Sequence, residues 1–139
     1  MNAKKLSFLL LILVAVACTN RSTSSEQDEM RHWNNVLQQI NALLLENKAR
    51  QTLDLAKQTL PEILESAEKN GTTDTLIYYA RKIFNACGNN YINTKQYKDG
   101  IDYMDSIGNH PLIREHCPHE LLSFKAGLNQ LYGLSLIHI

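Results

Sequence analysis

The stretch CGNNYINTKQYKDGIDYMDSIGNHP, Cys87–Pro111, decides how the chain is read. Two apolar-periodic halves flank a polar break at Thr94-Lys95-Gln96. Upstream of the break, Leu76, Ala80, Ile83, Phe84, Cys87 and Tyr91 recur at spacings of three and four, the signature of one helix face. Downstream, Tyr97, Ile101, Met104 and Ile107 do the same. A break this short between two such stripes predicts two helices folded back on one another. Gly88 and Gly100 stand inside the two halves, where a helix loses stability for want of a side chain. Their presence calls for a packing reason or a ligand. Gly108-Asn109-His110-Pro111 predicts a stop.

The pattern extends in both directions. Residues 28–46 carry Trp33, Val36, Leu37, Ile40, Leu43 and Leu44 on one face and Asn34, Gln38, Asn41 and Glu46 opposite. Residues 49–69 repeat it with Leu53, Ala56, Leu60, Ile63, Leu64 and Ala67. Pro61 lies within that second helix and cannot donate to the carbonyl of Lys57, which predicts a kink or a restart. Asn70-Gly71 suits a left-handed cap, and Thr72-Thr73-Asp74 offers N-capping oxygens for the helix over 75–93. Pro118 suits the first turn of a last helix with Leu121, Leu122, Phe124, Leu128, Leu131 and Tyr132 on its apolar side. The expectation is all-α, five helices with short loops.

Paired helices invite a search for internal repeats. Phe84, Gly88, Tyr91, Tyr97, Gly100, Met104 and Pro111 resemble the large, small and aromatic positions of a tetratricopeptide repeat, over about residues 80–113. The resemblance implies that Gly88 and Gly100 are close-contact positions and that the tyrosines fill gaps between helices. An alanine is commoner than Gly100 in that family and a leucine commoner than Cys87. Leu43–Pro61 resembles the second half of an earlier repeat, with Thr52 at the small position and Ala56 at the bulky one. The interval from Thr52 to Gly100 exceeds the period of about 34 residues expected of consecutive repeats. A lengthened second helix, Pro61–Asn70, absorbs the difference. Residues 118–133 resemble the first helix of a third unit. The family's fold, antiparallel helix pairs in a short right-handed solenoid, is therefore expected over residues 30–133.

The first residues are MNAKKLSFLLLILVAVAC. Lys4 and Lys5 precede an uncharged, mostly apolar run, Leu6–Ala17. That run is short of the roughly 20 residues a membrane-spanning helix needs, and it ends in small residues, so residues 1–17 read as a secretory signal. Ala15-Val16-Ala17-Cys18 resembles a bacterial lipobox, although a leucine is more usual than Ala15. The resemblance implies cleavage before Cys18 and lipid attachment to its sulfur. Residues 18–29 are polar after the cysteine and read as a flexible tether. Its SEQDE segment is similar to surface-export signals of Bacteroidetes lipoproteins. At the other end LSLIHI resembles translated sequencing-adapter DNA, so residues 134–139 are expected to be a foreign tail on a truncated N-terminal fragment.

Removal of residues 1–17 leaves 12 basic and 14 acidic residues, a net charge of −2. No basic surface follows, and nucleic-acid binding is not expected. His110, His116, Cys117 and His119 are zinc-capable, but their spacing fits no finger or zincin, so no metal is expected. Cys117 lacks a glycine-rich oxyanion turn, and no phosphate loop, paired-carboxylate motif or nucleotide fingerprint is present, so neither catalysis nor a cofactor is expected. Cys87 and Cys117 could form a disulfide or remain free.

What remains is binding. Tyr78, Lys82, Asn85 and Asn89 form a polar run off the apolar stripe of their helix and are the candidate groove residues for a protein or peptide partner. The expected protein is a scaffold held by its N-terminal lipid in the outer membrane, at the periplasmic face or the cell surface. The alternative is an extracytoplasmic sensor segment of a longer membrane-bound signalling or transcriptional regulator.

Overall fold

A computed structural model of the chain describes residues 26–137. Every element among those residues is an α-helix, in line with the all-α expectation: α1 over residues 26–45, α2 Ala49–Asn70, α3 Asp74–Asn93, α4 Tyr97–Ile107, α5 Pro111–His116 and α6 Pro118–Ile137. The signal segment 1–17, Cys18, most of the tether and the last two residues of the tail lie outside the described residues.

The chain divides into two compact units, Met1–Asn35 and Val36–Ile139. In the described part of the first, residues 26–35 are helical, including the stretch assigned to the tether at 26–29. Asp28 and Arg31 pair across one helical turn at 3.5 Å. His32 and Trp33 meet edge to face, centroids 4.5 Å apart.

The second unit owes its order to one core. Ile40 of α1, Leu53, Ala56, Leu60 and Ile63 of α2, Ile83, Phe84, Cys87 and Tyr91 of α3, Met104 of α4, Ile113 of α5 and Leu128 of α6 are all buried. α2 packs along α3, α4 along α6, and α3 also touches α4, α5 and α6. Pro61 neither breaks nor restarts α2, which is helical throughout. Both Pro61 and Lys57, whose carbonyl loses its donor, are exposed, so water can meet the vacant acceptor. Thr73 caps α3, its hydroxyl accepting from the Leu76 N–H at 3.2 Å. Gly71 has φ 89° and ψ 155°, extended rather than left-handed helical, in a region that favours glycine.

The predicted stop at 108–111 is also a start. His110 Nδ1 accepts from the Leu112 N–H at 3.2 Å, and Pro111, which lacks an N–H to lose, occupies the first turn of α5. α6 runs on through residues 134–137 as helix. Leu122, expected on its apolar side, is exposed.

The most informative feature is a turn built twice. Between α1 and α2, Glu46, Asn47 and Lys48 donate to the carbonyls of Ala42, Leu44 and Leu43 at 3.1, 3.0 and 2.9 Å. Between α3 and α4, Thr94, Lys95 and Gln96 donate to Asn90, Ile92 and Tyr91 at 3.0, 3.1 and 3.0 Å. Asn47 and Lys95 have φ 56° and 58°, the only non-glycine residues with positive φ among those described. Lys48 and Gln96 follow at φ −90°, ψ 59° and φ −89°, ψ 57°. The next helix opens with Thr52 donating to Lys48 and Gly100 donating to Gln96, both at 2.9 Å. Every equivalent pair is separated by one and the same interval of sequence, the interval from Thr52 to Gly100. Both turns place one residue in the left-handed region and send the following N–H back five residues, which satisfies a carbonyl at the helix end and reverses the chain.

Candidate partner-binding cleft

Two adjoining clefts run between α1 and α3 within the second unit. One, of about 240 Å³, is lined by Leu37, Ile40, Asn41 and Leu44 of α1 and by Lys82, Asn85, Ala86, Asn89 and Asn90 of α3. The other, of about 280 Å³, continues from Leu44 and Asn90 past the first turn to Asn47, Lys48, Ala49 and Asn93. Lining residues advance together along both helices, so α1 and α3 run in the same direction. Each is the helix that precedes one of the two matching turns.

Three of the four predicted groove residues, Lys82, Asn85 and Asn89, line the first cleft. Tyr78 does not. It lies one turn before Lys82, with the Lys82 ammonium 5.6 Å from the centroid of its ring. At an exposed site such a contact contributes about 0.5–1 kcal/mol, enough to bias where the ammonium sits. The side-chain polar groups of the two clefts are six amides, from Asn41, Asn47, Asn85, Asn89, Asn90 and Asn93, with lysines at the two ends and no carboxylate. Lys48 pairs with Glu46. Lys82 has no carboxylate partner among the described residues.

Asn90 belongs to the polar side of α3 by its sequence position, but its side chain is fully buried. Its amide nitrogen donates to the Ala86 carbonyl at 2.8 Å, which fixes the orientation of the group because a carbonyl can only accept. The other end, Oδ1, is buried without a donor among the described residues. Leaving such an acceptor unmet costs roughly 1–3 kcal/mol. Leu44, predicted for the core, is 41% exposed and forms the apolar floor shared by both clefts. Sequence periodicity misses Asn90 because a four-residue step cannot tell an asparagine beside the core from one facing solvent.

Of the residues expected to pack a repeat, Gly88 and Gly100 lie where helices approach closely. A Cβ on Gly88 would meet the Phe124 ring of α6 at 2.5 Å, and one on Gly100 would meet Tyr91 and Leu128 at 3.0 Å. Phe84 stacks edge-on to Phe124, centroids 5.7 Å apart. Met104 and Tyr91 are buried, whereas Tyr97 is only half-buried.

The other chemical candidates are structural. Cys87 and Cys117 are both free and buried. Burial pushes the Cys87 thiol up to about 12, despite its contact with the Tyr103 hydroxyl at 3.8 Å. Burial also raises Cys117, against the lowering influence of Arg81, so neither thiol is prepared as a nucleophile. His110 bridges α5 to α2 through Glu68 at 3.1 Å. Arg81 joins α3 to the α5–α6 junction through the His116 carbonyl and Glu120. Among the described residues no three histidine, cysteine or acidic side chains gather as a metal site, and no helix is long and apolar enough to cross a membrane.

Comparison with protein-family models, with curated proteins and with solved structures finds no match for this chain.

Proposed function

We propose that this protein is a lipid-anchored, extracytoplasmic scaffold of tetratricopeptide type that holds a protein partner along the α1–α3 cleft. The twice-built turn carries the reading. Two hairpins with one turn geometry and one fixed offset, that from Asn47 to Lys95, behave as repeats, and repeats of this kind present their first helices as a continuous binding face. The cleft lies between those first helices. Gly88 and Gly100 at the helix contacts agree with the tetratricopeptide pattern, although the offset exceeds that family's period.

The anchor rests on Cys18 and its flanking residues in the sequence. Several acyl chains on one cysteine, each CH₂ contributing about 0.8 kcal/mol, would hold the protein firmly at a membrane. Metabolic palmitate labelling of wild type and Cys18→Ala tests it: label in the wild type alone is expected, and equal label in both removes the anchor.

Photocrosslinking tests the binding face. A photoreactive residue at Asn89 in the full chain should give discrete protein adducts in intact bacterial envelopes, and the same residue at Asp102 on α4 should not. Equal adducts at both positions, or none at Asn89, overturn the scaffold reading.

A further inference from the structure

We infer that Asn70 is a site of spontaneous deamidation, at which the main-chain nitrogen of Gly71 displaces the side-chain amide as ammonia and the α2–α3 turn ages into aspartate and isoaspartate. Three observations converge on it.

The first is the neighbour. Asn70-Gly71 is the only asparagine–glycine pair in the chain. Both residues are exposed at the end of α2, and a Cβ built on Gly71 would meet nothing within 4 Å. Having no side chain, the glycine puts no obstacle between its own nitrogen and an approaching carbonyl carbon.

The second is the state of that nitrogen. Asn47, Asn93 and Asn109 also stand at helix ends, but the N–H that follows each is held. Lys48 donates to Leu43 at 2.9 Å, Thr94 to Asn90 at 3.0 Å and His110 to Ile107 at 3.1 Å. The other described asparagines lie inside helices, where the next N–H is committed to the carbonyl four residues back. Gly71 leaves its helix without such a bond. At φ 89° and ψ 155° the chain has already turned out of α2 there, so this nitrogen can swing towards the Asn70 side chain.

The third is the amide that must be attacked. Asn70 Nδ2 donates to Ser66 Oγ at 3.3 Å on an exposed face, a long bond that water can replace. The Asn90 amide, by contrast, is buried and held to the Ala86 carbonyl at 2.8 Å.

The chemistry needs only water. Solvent base removes the Gly71 amide proton, and the nitrogen attacks Cγ of Asn70. The new N–Cγ bond closes a five-membered imide, the Cγ–Nδ2 bond breaks, and Nδ2 takes a proton from water and leaves as ammonia. Water then opens the imide. Cleavage at Cγ gives aspartate, and cleavage at the main-chain carbonyl gives isoaspartate. Aspartate places a carboxylate at the C-terminal end of α2, where the helix dipole disfavours it, beside a Lys69 already paired with Glu65. Isoaspartate adds a methylene to the main chain ahead of Thr73, whose hydroxyl caps α3. Either product loosens the joint between α2 and α3.

The test holds the full 139-residue chain at mildly alkaline pH, digests it at intervals and follows each asparagine by peptide mass. Asn70 should convert to acid at least tenfold faster than Asn47, Asn93 or Asn109. Isoaspartate should form beside aspartate, because only the imide gives both. Gly71→Ala should slow the conversion at least tenfold. A side chain is strained at this φ, so Asn70→Gln serves as a second variant. It should remove most of the ammonia that the folded chain releases, with circular dichroism still helical. In urea the lead of Asn70 over Asn93 should shrink, because unfolding frees the Thr94 N–H. Conversion of Asn70 no faster than that of Asn93 overturns the inference. So does aspartate without isoaspartate, ammonia release undiminished in Asn70→Gln, or a lead that persists or grows in urea.

Discussion

Gly88 on α3 and Phe124 on α6 claim the same space. A Cβ on the glycine would stand 2.5 Å from Cγ, Cδ2 and Cε2 of the ring. The contact involves the ring's root as well as its edge, so the whole side chain would have to move. Gly88→Ala gains up to about 1 kcal/mol in helix propensity but overpacks a filled site at about 1–3 kcal/mol. A net loss of about 1–2 kcal/mol is expected in urea denaturation. Combined with Phe124→Leu, the two losses should fall short of their sum, because the smaller side chain leaves room for the new methyl.

Gly100→Leu should be harsher than an alanine there. The position is closed on one side by Tyr91 of α3 and on the other by Leu128 of α6, each at 3.0 Å from a nominal Cβ. A loss of about 1–3 kcal/mol is expected. A Gly100→Leu protein with an unchanged urea midpoint would count against the close approach of these helices.

The left-handed residues of the two turns offer a comparison at one site. Lys95 carries a steric penalty of roughly 1–2 kcal/mol that glycine does not. Lys95→Gly should therefore be neutral to stabilising by up to about 1 kcal/mol, and Lys95→Val destabilising by at least as much, both read from thermal midpoints. Asn47→Gly should gain less, because asparagine tolerates this conformation better than lysine.

Alkaline pH should loosen the second unit. The Cys87 thiol keeps its proton in the fold up to about pH 12, whereas an unfolded thiol releases it near 9. Its stabilising contribution is complete below pH 9 and declines as pH rises from there. Tyr91 and Tyr103 are raised by burial too and act in the same direction, from the ordinary tyrosine range upward. Urea midpoints should fall between about pH 8 and about pH 10.5, and Cys87→Ala should fall less steeply than wild type. In the native protein at about pH 8, alkylation of Cys87 should be slower than that of a free thiol by on the order of a thousandfold, since only the thiolate reacts.

Much of this architecture is legible in the residues. The stripes from Val36 to Ile107 give four of the six helices closely, and the Thr73 cap follows from its position before Asp74. The break at Thr94-Lys95-Gln96 is where the chain reverses. α5 is hidden because Gly108, Asn109 and Pro111 are loop formers individually, and only His110 turning its Nδ1 onto Leu112 makes the proline a helix start. The cleft is half legible. Lys82, Asn85 and Asn89 declare themselves by periodicity, but Leu44 and Asn90 exchange the expected exposures. Neither exchange has a local signal, because each depends on where α1 lies beside α3. Tyr78 shares their periodicity without lining the cleft, and its ring lies 5.6 Å from the Lys82 ammonium.

The two matching turns also make the chain modular. Lys48 and Gln96 leave their turns with backbone angles that agree within a few degrees, so residues 49–96 begin and end in one conformational state. A second copy of that cassette inserted after Gln96 would deliver the chain to α4 in its present orientation, with the cleft lengthened by another first helix. One residue more or fewer within a helix of the inserted copy would swing everything downstream by about 100° and turn its apolar stripe away from the core. Growth by whole cassettes is thus permitted by the backbone, and growth by single residues within the helices is not.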